Sequence, residues 1–265
     1  MVNQRSRAML LVFILLALYL LPAEAEGASR PFHFGFKRSV NGNPASINEE
    51  GFKEILERHG GIFLGNSTEK SLYMTFDNGY ENGFTGQILD VLKQKKVPAA
   101  FFVTGHYIND QPELLKRMAA EGHIIGNHSW SHPDMTQIST ERIHQELDKV
   151  KQAVEKVTGK PGMSYLRPPR GIFSEHTLRV SHEMGYTNVF WSIAYKDWDT
   201  KQQKGRQYAY NQVMKQLHPG AVLLLHSVSR DNTEALGSII DAARQQGYDF
   251  RSLDDLKPLQ PLGSP

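Results

Sequence analysis

The sequence of 265 residues contains no cysteine. This absence excludes disulfide bonds, a cysteine nucleophile and any metal site with thiolate ligands. The sequence also lacks an excess of charge of either sign: the formal net charge is only +2, and the basic residues are scattered. We expect no nucleic-acid binding, since that function requires a clustered basic face. The fold must therefore depend on its apolar core, for which a hydrophobic content of 40% is sufficient.

The motifs of two large enzyme classes are missing as well. No Gly-x-Gly-x-x-Gly or Walker loop follows the first predicted strand, so nucleotide binding has no support. Gly-x-Ser-x-Gly is absent, which argues against a serine nucleophile and an acyl-enzyme. The chain also has no internal repeat and no low-complexity tract. Its length fits one large α/β barrel as easily as two small domains.

The N-terminus has the features of an export signal. Arg5 and Arg7 precede an apolar run from Met9 to Leu21, and Ala23-Glu24-Ala25 then offers small residues at the spacing of a signal peptidase site. Residues 1–25 are therefore predicted to be a signal peptide. The alternative is an uncleaved anchor, which would give peripheral or N-terminal membrane association. In both cases the body of the protein lies outside the cytoplasm.

From Leu72 onward, short apolar runs alternate with amphipathic helical patterns. This alternation predicts a parallel sheet covered by helices, and about seven such units suit a distorted (β/α) barrel, with an open doubly wound sheet as the alternative. The best helix is Thr140–Thr158, with Ser139 as its cap and Gly159 after it. The predicted strands are Leu72–Phe76, Ala99–Val103, His123–Asn127, Met163–Arg167, Thr187–Trp191, Ala221–Leu225 and Tyr248–Arg251.

Residues 26–70 are interpreted as an N-terminal extension that packs on the barrel. Phe32, Phe34 and Phe36 alternate as in a short half-buried strand. Asn48 is expected to cap a helix that follows. The main domain then covers residues 71–257, and residues 258–265 form a C-terminal tail.

Chemistry in a parallel α/β barrel lies at the carboxyl ends of the strands. Five predicted strand ends carry polar groups of the kind that catalyse reactions, and this shared placement is the strongest signal in the sequence. Each residue alone has an ordinary structural explanation: a cap, an ion-pair partner or a hydrogen-bonded core histidine. The residues are Asp77 and Asn78, then His128 and His132, then Arg167 and Arg170, then Asp197 and Trp198, and finally His226.

Together these groups are suited to the hydrolysis of an amide. A carboxylate at Asp77 can accept a proton from water, and an imidazole at His226 can protonate the departing amine. A metal or an arginine can polarise the carbonyl group. His128 and His132 are four residues apart, which fits two imidazoles on one metal ion.

These strand ends resemble the five ordered motifs of the polysaccharide deacetylases, the NodB-homology or carbohydrate esterase 4 family. The resemblance covers roughly residues 71–256, and the family fold is a distorted (β/α) barrel. Thr75–Gly83 and Gly126–Met135 look most like the PdaA-type branch, which deacetylates muramic residues in spore-forming bacteria. The motifs are Thr75-Phe76-Asp77-Asn78-Gly79-Tyr80, His128-Ser129-Trp130-Ser131-His132-Pro133, Arg167-Pro168-Pro169-Arg170-Gly171, Asp197-Trp198 and Leu223-Leu224-Leu225-His226.

The resemblance implies a role for each matched residue. Asp77 is the general base, oriented by Arg167, and His226 is the general acid, paired with Asp197. The residues implied as metal ligands are Asn78, His128 and His132, and those implied in substrate binding are Tyr80, Pro169, Arg170 and Trp198.

Two positions depart from the usual motifs. Asn78 replaces a metal-binding aspartate, so a divalent ion such as Zn²⁺ is expected to be weakly bound or dispensable. Arg170 replaces an aromatic residue, commonly tyrosine. A guanidinium at the rim of the site suits a carboxylate, which N-acetylmuramic acid carries and N-acetylglucosamine lacks.

The leading hypothesis is therefore de-N-acetylation of N-acetylmuramic acid in peptidoglycan, the step before muramic δ-lactam forms in spore cortex. One alternative is a metal-dependent deacetylase of N-acetylglucosamine in peptidoglycan or chitin. Another, of a different class, is a non-catalytic glycan-binding protein in which Asn78 marks a decayed site. The expected partners are peptidoglycan glycan strands at the cell wall, and no obligate protein partner is evident.

Overall fold

The computed structural model describes residues 30–256, which contain one main sheet of seven parallel strands. The predicted distorted (β/α) barrel is confirmed, and every predicted strand position contributes to this sheet. The strands are β2 (Ser71–Asn78), β3 (Ala99–Val103), β4 (Ile124–Asn127), β5 (Tyr165–Leu166), β7 (Thr187–Asn188), β8 (Ala221–His226) and β9 (Asp249–Phe250). Their spatial order is β7-β5-β4-β3-β2-β8, and β9 pairs with the first residues of β2. A separate antiparallel pair joins β1 (Phe32–His33) to β6 (Ile172–Phe173).

The barrel closes through backbone that does not form a regular strand. After β7 the chain continues to Ile193, whose amide donates a hydrogen bond of 3.1 Å to the carbonyl of Val222 in β8. Leu224 donates in turn to the carbonyl of Ile193 at 2.9 Å. These bonds connect the two ends of the strand order, so the carboxyl ends of all the strands face one mouth.

The helices cover the outside of the sheet. They are α1 (Phe52–Arg58), α2 (Thr85–Lys95), α3 (Gly105–Asp110), α4 (Pro112–Ala120), α5 (Thr140–Thr158), α6 (Glu175–Glu183), α7 (Arg206–Met214) and α8 (Arg230–Gln245). Helix α5 matches its prediction: the Ser139 hydroxyl caps its start and Gly159 adopts φ 68° after its end. Asn48 does not cap α1, because the helix begins later and Gly51, with φ 73°, occupies the cap position.

The segment before β2 packs on the barrel through aromatic rings. Phe34 is only 1% exposed, and its ring centroid lies 4.6 Å from that of Phe190 and 5.5 Å from that of Trp191. Phe52 of α1 and Phe173 of β6 complete this cluster. The cluster places the segment beside the mouth of the barrel.

Within residues 30–256, no helix combines the length and the apolar character needed to cross a membrane. The predicted signal peptide, residues 1–25, and the predicted tail, residues 258–265, lie outside the described residues.

Candidate active site

The first catalytic candidate, Asp77, is paired with a buried arginine. Asp77 lies near the carboxyl end of β2, and its Oδ1 accepts a hydrogen bond of 2.7 Å from Nη1 of Arg167. Arg167 is fully buried and also donates to the Thr75 hydroxyl at 2.8 Å and to the Val189 carbonyl at 3.0 Å. Its guanidinium carbon lies 4.1 Å from the ring centroid of Phe102. These contacts fix the guanidinium and, through it, the carboxylate of Asp77.

The pKa of Asp77 reflects this pairing. Burial alone would raise the pKa, but the Arg167 guanidinium, with smaller contributions from His128 and His226, lowers it below its usual value. The carboxylate is therefore ionised at neutral pH and able to accept a proton. The ion pair makes it a weaker base than a free carboxylate.

The second catalytic candidate, His226, ends β8 and is paired with Asp197. The Nδ1 of His226 lies 2.6 Å from Asp197 Oδ1, and its backbone amide donates to Asp197 Oδ2 at 2.8 Å. The side chain of Asn232 donates to the same Oδ2 at 2.5 Å. The carboxylate therefore holds His226 at both its imidazole and its backbone amide, and Nδ1 must carry a proton to make its bond.

The pKa of His226 is raised above its ordinary value. Burial alone would lower it, but the Asp197 carboxylate outweighs burial by charge and by its hydrogen bond. The imidazolium form is thereby favoured, as a general acid requires.

The two predicted histidine ligands lie next to each other beyond β4. The ring centroids of His128 and His132 are 4.9 Å apart. Nδ1 of His128 lies 2.8 Å from the Arg167 carbonyl oxygen, so it carries the proton, and Nε2 is left 3.5 Å from Asp77 Oδ2. Burial, followed by the neighbouring His128, lowers the pKa of His132. The rings are therefore neutral near pH 7, the form in which imidazole binds metal ions.

Asn78 occupies a different environment from the two histidines. The residue is fully buried, and its Oδ1 accepts a hydrogen bond of 2.8 Å from the Ser227 hydroxyl. Its Nδ2 lies 3.4 Å from the hydroxyl of Thr85. Both ends of the side-chain amide are therefore engaged within the protein, and Asn78 does not line the cavity at the mouth.

The described residues fit a divalent cation only in part. Two neutral imidazoles are present, but the third expected ligand is an uncharged amide held by Ser227. No group of three or more histidine, cysteine, aspartate or glutamate residues able to hold a metal ion occurs in residues 30–256.

One cavity of about 1000 Å³ unites most of the predicted site. Arg167 and Asp197 lie directly behind it, where they orient Asp77 and His226. Pro169 is buried in the turn Pro169–Gly171 and does not line the cavity. The predicted residues that do line it are Asp77, Tyr80, His128, His132, Arg170, Trp198 and His226.

Arg170 stands at the rim of this cavity. Its backbone has φ 58°, and its side chain is half exposed. Nη2 lies 3.7 Å from Asp134 Oδ2, which is too long for a hydrogen bond. The guanidinium is therefore able to meet a carboxylate that enters the cavity.

Three residues that support the site were given no role from the sequence. Thr75 precedes Asp77 by two positions and accepts a hydrogen bond from Arg167. Asn232 holds Asp197 and accepts a hydrogen bond from the Tyr195 hydroxyl. Tyr195 and Asn232 are 37 positions apart, so no local pattern could reveal their contact. Only the Thr75 position, on the same face of β2 as Asp77, was open to sequence reasoning.

The arrangement provides a base and an acid side by side on the neighbouring strands β2 and β8, where both line one cavity. The carboxylate of Asp77 can accept a proton from water, and His226 can donate one to a leaving nitrogen. The amide hydrolysis expected from the strand ends is therefore compatible with the observed geometry.

The comparisons with known proteins agree with this arrangement. Residues 64–189 match the family model described as polysaccharide deacetylase. The peptidoglycan-N-acetylmuramic acid deacetylase PdaA of Bacillus subtilis is 52% identical over 88% of this chain and 89% of its own length.

Solved structures show the same likeness. The structure of B. subtilis PdaA, a family 4 carbohydrate esterase, superposes with a TM-score of 0.83 at 53% identity, covering 86% of this chain and 97% of that one. A family 4 carbohydrate esterase from Bacillus anthracis gives a TM-score of 0.72 at 51% identity, covering 86% and 96%. The extent of these matches shows that the chain belongs to the polysaccharide deacetylase family, carbohydrate esterase family 4.

Proposed function

We propose that the protein hydrolyses the acetamido group of N-acetylmuramic acid residues in peptidoglycan. The observation that supports this most directly is that two ion-paired groups, Asp77 with Arg167 and His226 with Asp197, lie next to each other in one cavity. The similarity to PdaA points to the same substrate. Since peptidoglycan lies outside the cytoplasm, export by residues 1–25 is part of the proposal. In spore cortex, this reaction would precede the formation of muramic δ-lactam.

In the proposed reaction a water molecule attacks the acetamide carbonyl carbon. Asp77 accepts the proton of that water, and the new carbon–oxygen bond gives a tetrahedral intermediate. His226 donates its Nε2 proton to the nitrogen as the carbon–nitrogen bond breaks. Acetate and the free amine of the sugar are the products. Arg167 and Asp197 hold the base and the acid in position and in the required charge states.

The proposal includes a minor role for a metal ion. His128 and His132 would hold a divalent ion such as Zn²⁺, which would polarise the carbonyl group when bound. Without an anionic third ligand, the ion is expected to bind weakly or to be dispensable.

Arg170 is proposed to select the muramic sugar. The lactyl carboxylate lies beside the acetamido-bearing carbon, where a guanidinium at the rim can bind it through two parallel hydrogen bonds. Such a contact contributes on the order of 1.5–3 kcal/mol, or roughly 10- to 150-fold in specificity. In intact peptidoglycan a stem peptide ties up this carboxylate, so peptide-free strands should be preferred.

The test compares the wild-type protein with Arg170→Tyr on denuded peptidoglycan strands and on chitin oligomers. Acetate release and mass spectrometry of the products show which sugar has lost its acetyl group. We expect the variant to lose activity on muramic residues and to keep or gain activity on N-acetylglucosamine. An equal fall on both sugars, or no change on either, would show that Arg170 does not recognise the carboxylate.

A further inference from the structure

The exposed aromatic side chains are concentrated at the mouth of the barrel. Among residues 30–256, the large hydrophobic side chains with high exposure are Phe36, Val40, Tyr80 and Trp198. All but Val40 line the same cavity as Asp77 and His226. A group of exposed apolar side chains marks a binding surface more often than a single exposed apolar residue does.

Phe36 and Trp198 form a pair within this group. Their ring centroids are 5.9 Å apart with an interplanar angle of 27°, and the rings are 41% and 43% exposed. Trp198 in turn lies 5.4 Å from the ring of His226. The pair therefore extends the cavity outward from His226. Part of each aromatic side chain remains exposed to solvent.

Phe36 comes from outside the part of the chain that matches the family model, residues 64–189. It lies on the N-terminal extension, two residues beyond Phe34, which anchors that segment in the aromatic cluster described above. His33 and Gly35 of the same segment also line the cavity. The extension thus supplies one wall of the site.

We propose that Phe36, stacked on Trp198, forms a platform for a second sugar of the glycan strand, next to the one that is deacetylated. This inference rests on the proposed function and adds a binding subsite to it. The electron-rich face of an aromatic ring attracts the partly positive C–H bonds on the face of a pyranose. A sugar whose acetamido group lies between Asp77 and His226 must have its neighbour on the strand beyond the cavity centre. The Phe36–Trp198 pair is the continuation of the cavity on the His226 side.

The platform predicts an effect of substrate length. A one-sugar fragment, N-acetylmuramic acid itself, can occupy the catalytic centre without reaching Phe36, whereas a six-sugar strand places a neighbouring sugar on the pair. Truncation of Phe36 should weaken binding of the long strand by about 3- to 10-fold, the range expected for loss of one aromatic stacking contact. The short fragment should bind unchanged.

The experiment measures binding of denuded peptidoglycan fragments of one and six sugars by calorimetry, with turnover blocked by Asp77→Asn in every sample. Phe36→Ala is compared with Phe36→Tyr, which keeps the ring face, and with Val40→Ala. Val40 is 67% exposed on the same extension and does not line the cavity, so it is a matched control. We expect only Phe36→Ala to weaken the six-sugar complex.

Three outcomes would overturn the platform. Phe36→Ala could leave the six-sugar affinity unchanged, or it could weaken binding of both lengths equally. The third is that the protein without the Phe36 and Val40 substitutions binds neither fragment. Acetate release by the wild-type protein is measured separately. If it fails while the length-dependent loss is still observed, the proposed reaction is wrong and the platform remains supported.

Discussion

At the scale of single residues, Asp197 controls the pH at which His226 loses its proton. In the proposed reaction His226 must be protonated to act as the acid, so activity should be present below its pKa and should fall as the pH rises through it. The Asp197 carboxylate is the main influence that raises this pKa against burial. We therefore expect Asp197→Asn to move the basic limb of the kcat/KM profile to lower pH, with a loss of about 10-fold or more at neutral pH.

The control for this variant is Asp249→Asn. Asp249 lies on β9, where its carboxylate is largely exposed and 3.8 Å from Arg251. Its substitution should leave the profile unchanged. If Asp197→Asn also leaves the basic limb in place, that limb does not report the protonation of His226.

Asn78 is expected to limit how strongly a metal ion can bind. Replacing it by aspartate adds a negative charge at the position expected to complete a ligand set with His128 and His132, so Asn78→Asp should bind Zn²⁺ more tightly. An increase of at least about tenfold is expected, since even partners outside the coordination sphere change affinity by ~10- to 100-fold. Calorimetric titration with Zn²⁺ measures the difference.

Asn82→Asp is the control, since it makes the same change of charge nearby. The Asn82 amide donates to the Val228 carbonyl at 3.0 Å, a contact that does not involve His128. Equal Zn²⁺ affinities for Asn78→Asp and the wild-type protein would mean that the side chain at position 78 remains directed toward Ser227. The structure is compatible with that result, since Ser227 already holds Asn78 Oδ1.

Sequence reasoning placed Asp77 and His226 at one mouth because strand ends of a parallel barrel converge, and that geometry follows from the fold alone. It could not place Asn232, which reaches Asp197 from the first turn of α8. Nor could it show that the amide of Asn78 is directed toward Ser227. Residue type and spacing restrict which groups can meet, whereas side-chain direction depends on packing that comes from distant parts of the chain.

At the scale of secondary-structure elements, local patterns were most informative where they were long. Helix α5 follows its prediction from cap to cap, because 19 residues carry many repeats of the apolar spacing. The predicted strand Thr187–Trp191 is shorter in the structure, where β7 covers Thr187–Asn188. The following residues instead turn toward β8 and close the barrel. Residues that form such irregular backbone hydrogen bonds show no periodic pattern of apolar positions, so the closure of the barrel could not be predicted from the sequence.

The turn that presents Arg170 depends on Gly171. Gly171 has φ 64°, and a Cβ built there would meet Cη2 of Trp191 at 2.6 Å. Gly171→Ala should therefore incur about 1–2 kcal/mol for the left-handed backbone and ~1–3 kcal/mol more for the contact. Denaturant unfolding measures the loss, and deacetylation should fall because Arg170 shifts with the turn.

Gly162→Ala separates these two effects. Gly162 has φ 86°, but a Cβ there would meet nothing within 4 Å. It should incur only the backbone cost and should leave activity unchanged. If the two variants lose equal stability, the packing of Trp191 against Gly171 does not constrain the turn.

At the scale of the whole molecule, the N-terminal extension and the barrel share one aromatic cluster. Phe34 packs against Phe190 and Trp191, which follow β7, while Trp191 also donates a hydrogen bond of 3.0 Å to the Gly35 carbonyl. The alternation of phenylalanines indicated a short strand but not its partner. Its partner β6 begins directly after the Pro169–Gly171 turn. Burial of the extension is thereby coupled to the loop that carries Arg170.

Phe34→Ala tests this coupling. The ring is almost fully buried, so its removal should lower the free energy of unfolding by about 3–5 kcal/mol. Phe36→Ala is the control: at 41% exposure it loses less apolar burial and should lower the free energy of unfolding by only about 1–2 kcal/mol. Because Phe34 joins the extension to the barrel, both should still unfold in one transition, as followed by tryptophan fluorescence and far-ultraviolet circular dichroism. Two separate transitions, or a loss for Phe34→Ala as small as the control's, would show that the extension folds independently of the barrel and does not brace the Arg170 turn.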